Sequence, residues 1–232
     1  FPYTTLFRSA LGRVQRLLRL LFERDLLLPR QHLALGLDQD GDGAPDATEA
    51  AIYGDILMGS GGDTVDLQNG VIVGDISFGD GADTFNVGSA TGVAGFIGEI
   101  DDTDGQLAIN IVNGTAQINN TGVIDATSLT LSADSTLVVT ADPSAGASGS
   151  ATQITVATAN IATGAQLGLQ LTSLIDSPTQ RFTIIRTDTP GGLTVGTLDD
   201  SLLGNAPYLV VAEASADASV GEVYLDLRRR TA

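Results

Sequence analysis

From Gly54 onward, apolar residues alternate with small polar ones in short runs broken by glycine and aspartate. Ile56, Met58 and Val65 hold the apolar positions of one run, and Ile76, Phe78 and Phe85 hold those of the next. A period of two predicts strands with one buried face. Further runs of this kind cover 107 to 111, 116 to 118, 129 to 131, 137 to 139 and 154 to 156. They continue over 167 to 171, 182 to 185, 193 to 195, 208 to 211 and 223 to 227. Asn113-Gly114 and the stretch from Asn119 to Gly122 read as turns, and Asp142 to Ser150 as a Pro, Gly and Ser-rich loop. No sustained helical period occurs beyond Gly54.

The strand pattern repeats. Residues 54 to 67 (GDILMGSGGDTVDL) return as 74 to 87 (GDISFGDGADTFNV), 20 positions later. A fixed period of this length marks a solenoid. Gly59, Gly61, Gly79 and Gly81 are expected to supply positive φ at corners between strands. The Asp-Thr pair that follows is expected to hydrogen-bond the turn backbone. The predicted fold is all-β: a parallel β-helix over 54–232, with one coil per copy of the repeat. Many strands alone would also suit a sandwich; the 20-residue echo favours the solenoid.

Residues 1–37 do not share this pattern. Phe1 to Ser9 resembles translated sequencing adapter. From Leu11 to Leu28, apolar positions 11, 14, 18 and 21 follow helical spacing, and Pro29 ends the run. The expectation for 1–37 is a non-native or linker segment containing a short N-terminal helix. Such a helix would be basic and amphipathic, suited to a membrane surface or simply a tail. Arg19, Glu23, Arg24 and Asp25 interrupt it too soon for a transmembrane span or a signal peptide.

Composition and charge narrow the function classes. Aromatics make up 5% and Trp is absent, so the core must be built from Val, Ile, Leu and Ala. The formal charge is −17, there is no Lys, and neither Lys nor Arg occurs from Gln31 to Gln180. Nucleic acid needs cationic partners, so this body is not built to bind it. Cations such as Ca²⁺ would be attracted. With no Cys, disulfides, thiolate metal sites and a Cys nucleophile are excluded.

Three acidic clusters carry candidate chemistry. Residues 38–53 read as an acidic linker in which Asp38, Asp40, Asp42, Asp46 and Glu49 stand at positions 1, 3, 5, 9 and 12, with Gly43 at position 6. That is the spacing of an EF-hand calcium loop, where oxygens converge on a hard cation. The loop is a single copy and contains Pro45; otherwise it is a solvated linker. Gly59-Ser60-Gly61-Gly62-Asp63 and Gly79-Asp80-Gly81-Ala82-Asp83 approach the calcium-binding nonapeptide repeat, but their spacing is 20 rather than nine; their plainer reading is corner turns. Glu99, Asp101, Asp102 and Asp104 could supply the carboxyl pair of a glycosidase, or form a solvated loop. No Gly-x-Ser-x-Gly elbow occurs, and His32 is the only histidine, so a Ser-His-Asp triad has no base within the repeats.

The paired Gly-Asp-Ile…Gly-x-Gly-x-Asp-Thr repeats, followed by 182 to 185, 208 to 211 and the closing run Val223 to Ala232, resemble a type V autotransporter passenger just before its outer-membrane barrel. The resemblance covers about 54–232. It implies a right-handed parallel β-helix, exported and displayed at the cell surface in association with the outer membrane. It implies a non-catalytic stalk and folding seed, with adhesion as a further role and with no cofactor unless Ca²⁺ binds. Its partners would be the β-barrel translocator of the same polypeptide and a host or surface ligand. The alternatives are a secreted Ca²⁺-binding β-solenoid module and a β-helix glycoside hydrolase.

Overall fold

A computed structural model describes residues 32–35, 51–144, 150–175, 177–205 and 210–230. The described residues contain strands and one short 3₁₀ turn (Ser201–Asn205), with no α-helix. The N-terminal helix expected over 11 to 28 lies outside them. The described residues are all-β, and most of their strand pairs are parallel.

The 20-residue echo becomes a register. Strands β1 (His32–Leu35), β2 (Ala51–Tyr53), β3 (Ile56–Leu57) and β4 (Thr64–Leu67) precede the second copy, made of β5 (Gly70–Val73), β6 (Ile76–Ser77) and β7 (Thr84–Val87). β2 pairs with β5, β3 with β6 and β4 with β7, all in parallel, so Ile56 lies beside Ile76 and Thr64 beside Thr84. β8 (Ala94–Gly98), β9 (Ile100–Asp101) and β10 (Ala108–Ile118) form the next layer, now 24 residues on: Ile76 pairs with Ile100 and Thr84 with Ala108. The strand His32–Leu35 also joins this stack, against β4.

The layers continue through β11 (Val123–Asp142), which β12 (Ser150–Ala151) joins in a short antiparallel pair. β13 (Gln153–Ile161), β14 (Gln166–Leu171), β15 (Thr179–Thr187) and β16 (Leu193–Val195) follow. Offsets here widen to 30 and more: Leu129 pairs with Ala159, and Ala159 with Leu193. Because register is kept, like residues stack. Val65, Phe85, Ile109, Leu129 and Ala159 form one inward column, and Leu67, Val87, Ile111, Leu131 and Ile161 another. All ten are buried, and adjacent layers lie about 4.8 Å apart.

Two expectations are corrected. Asn113-Gly114 is not a free turn. β10 runs through it, pairing with β7 before it and with β8 after it, with a register shift between Ile111 and Asn113. The corner is taken inside a continuous ladder. The second correction is at the C-terminal end, where the pairing is antiparallel rather than parallel. β18 (Glu222–Arg229) lies between β15 and β17 (Val210–Asp217), antiparallel to both. A tight Asp217-to-Gly221 connection, with Gly221 N–H donating to the Asp217 carbonyl at 2.9 Å, leaves no chain for a parallel crossover.

Side chains replace strands where a ladder stops. Among the described residues no strand pairs with the far side of β9; instead the Asn120 amide accepts from Ile100 N–H at 2.8 Å and donates to the Ile100 carbonyl at 2.9 Å. Thr152 is fully buried, accepting from Thr140 N–H at 3.0 Å and donating to the Asn120 carbonyl at 2.6 Å. Thr152→Val keeps the shape and leaves both backbone groups without a partner. We expect a loss of about 1–3 kcal/mol, measured as a lower denaturant midpoint at unchanged slope.

Candidate functional site

Alternation along β3, β6 and β9 turns Ile56, Ile76 and Ile100 inward and sends their neighbours to solvent. A shallow outer groove results, lined by Asp55, Asp75, Glu99 and Asp101 among others. The acids there serve the backbone. Asp55 Oδ1 accepts from Asp75 N–H at 3.1 Å, and Asp75 Oδ1 from Glu99 N–H at 2.8 Å. Asp101 Oδ2 accepts from the Ser77 hydroxyl at 3.3 Å.

The glycine corners form a second column just beyond these strands. Gly61, Gly79 and Gly81 carry positive φ (112°, 83° and 140°), while Gly59 is not among the positive-φ glycines. Gly61 N–H donates to the Asp80 carbonyl at 2.7 Å, and Gly81 N–H to Asp104 Oδ2 at 2.9 Å. The two glycine-rich segments are therefore stacked on one another, with Asp102-Thr103-Asp104 as the third layer. Thr103 donates its hydroxyl to Asp80 Oδ1.

The aspartates that end the two glycine-rich segments point inward. Asp63 and Asp83 are 0% and 2% exposed. Asp83 Oδ1 accepts from Asp63 N–H at 2.6 Å, so the carboxylate reaches back to the preceding layer instead of closing its own turn. Asp83 Oδ2 is buried with no hydrogen-bond partner, and so is Asp102 Oδ1. Burial pushes the Asp83 carboxyl up to about 6; the Asp63 N–H opposes this, and Asp63, Asp102 and Asp104 add to it. Asp102 is raised by burial and then by Asp104. Polar residues at strand starts carry no sequence signal of burial, so the sequence presents this pair as turn formers or as part of a calcium-binding repeat and not as core residues.

The four residues considered for glycoside hydrolysis are divided between these two places. Glu99 and Asp101 line the outer groove. Asp102 Oδ2 accepts from Leu107 N–H at 3.2 Å, and Asp104 Oδ1 from Gln106 N–H at 3.1 Å. Hydrolysis needs two carboxyls facing one bond across a cleft; three of these four carboxyls are already engaged within the protein. The calcium-loop residues Asp38, Asp40, Asp42, Asp46 and Glu49 lie outside the described residues. Among the described residues, no three His, Asp or Glu side chains converge on a point that would hold a metal ion.

Among the described residues, the arginines lie on or beside the C-terminal sheet. Arg181 makes a two-pronged pair with Asp226, both distances 2.7 Å, and lies 4.6 Å over the Tyr224 ring. Arg228 meets Glu213 at 3.3 Å and Arg186 meets Glu222 at 3.8 Å. These exposed pairs align the three antiparallel strands and add little stability individually. Compared with protein families, curated proteins and solved structures, the chain matches none.

Proposed function

We propose that this chain is a non-catalytic stalk: a right-handed parallel β-helix forming the membrane-proximal part of a surface-displayed autotransporter passenger. The observation that carries this reading is the stacking itself, in which Val65, Phe85, Ile109, Leu129 and Ala159 lie in register through successive layers. Parallel crossovers within one sheet are right-handed in about 98% of cases, which supports the hand. A stack of this kind buries each layer only against its neighbours, so one stable end can template the rest. The antiparallel β15–β18–β17 sheet is suited to be that end, because its cross-strand hydrogen bonds do not wait for another layer.

On this reading the acidic groove is a hydrogen-bonded flank and not an active site. The partner is a barrel translocator of the same polypeptide, and any adhesive contact is made by the flanks of the stack. The encoding DNA read in frame past Ala232 tests this. A short helix followed by alternating membrane strands supports it; tandem nine-residue Gly-Asp repeats contradict it and favour a secreted calcium-binding module.

A further inference from the structure

The Asp63–Asp83 stack is an unusual thing to bury. Neighbouring carboxylates repel, and a buried charge needs a counter-charge or a full set of donors. Neither is present around Asp83. From residue 33 to residue 180 the chain has no Lys, Arg or His. The ionisable groups acting on Asp83 are Asp63 from the preceding layer and Asp102 and Asp104 from the following one, all acidic. One Asp83 oxygen is held by Asp63 N–H; the other is enclosed without a donor.

We propose that this stack is a proton-operated latch: protonation of Asp83 locks the 51–107 layers together, and its ionisation lets them open locally. A neutral carboxyl still accepts from Asp63 N–H. It also removes the negative charge facing Asp63, Asp102 and Asp104, and it places at most one proton-bearing oxygen in the enclosed space. The ionised form keeps an unsolvated charge there, relieved only when the corner opens to water.

The direction follows from the raised carboxyl. Asp83 titrates near 6 in the folded chain, against 3.8 for an ordinary aspartate. The folded layers therefore bind a proton that the opened ones release. The added stability is complete below about 3.8 and is lost as pH rises through about 6. Each pKa unit is tenfold in the opening equilibrium, so the full effect reaches about a hundredfold.

The test is native-state hydrogen exchange on the full chain in EDTA, at pH 5 and pH 8, corrected for intrinsic rates. The amides of Thr64–Leu67 and Thr84–Val87 are expected to open about tenfold more at pH 8, and those of Glu222–Arg229 to change little. In Asp83→Asn the difference between the two pH values should fall below about threefold. Equal opening at both pH values in the unaltered chain overturns the proposal, whatever the variant does. So does a pH dependence that survives in a folded Asp83→Asn protein.

Discussion

Phe85→Ala is expected to lower stability by about 3–5 kcal/mol. Phe85 is fully buried at the centre of the first three layers. Its ring meets Phe96 edge-on at 5.1 Å and Phe78 at 6.0 Å. These are three of the seven phenylalanines in the chain, and the columns through Val65 and Leu67 are otherwise aliphatic. Register keeps Val65 and Ile109 on either side of Phe85, so neither can slide into the space without breaking the ladder. The cavity should persist. For a chain of this size the melting temperature should fall by about 6–20 °C. Phe85→Leu, which refills most of the volume, should recover more than half of the loss; a chain that tolerates alanine within 1 kcal/mol would contradict this packing.

Gly114→Ala is expected to cost a similar amount, about 2–6 kcal/mol, by adding one methyl group. Gly114 has φ of 129°, and a Cβ there would lie 2.0 Å from the Ala94 carbonyl oxygen. The obstacle is backbone of the neighbouring layer, so no side chain can move aside. Gly122→Ala is the control: an added Cβ has nothing within 4 Å and φ is not positive. That change should lie within about 1 kcal/mol of neutral, on the stabilising side. Chemical denaturation of the two variants side by side measures the difference. Equal effects would mean that the corner is not packed against Ala94.

Much of this architecture was legible in the residues. The echo of 54 to 67 in 74 to 87 carried the register of two strand pairs, and the alternation placed Ile56, Val65, Phe78 and Phe85 inside. The shift of the repeat to 24, back to 20 and then to 30 residues hid the later layers, because insertions at corners destroy a fixed period while leaving the ladders intact. A period of two is the same for parallel and antiparallel strands, so the pairing of β17 and β18 could not be read from Tyr208 to Val211 and Val223 to Leu227. The buried Asp63–Asp83 contact was hidden for a different reason. Both positions look like turn residues, and only the stacking of one corner on the next encloses them.

The two fully or nearly buried carboxylates among the described residues, Asp63 and Asp83, lie in the first layers; the closing sheet buries none. The stack is therefore expected to be weakest at its N-terminal end and firmest where β15, β18 and β17 meet, which is the property a folding seed requires. Native-state hydrogen exchange across the whole chain at pH 7.5 measures this directly. The account predicts that amides of Thr179–Thr187 and Glu222–Arg229 exchange only through global unfolding, while those of Thr64–Leu67 and Thr84–Val87 exchange earlier, by partial opening. Protection that is uniform along the stack, or highest in the first layers, would contradict it.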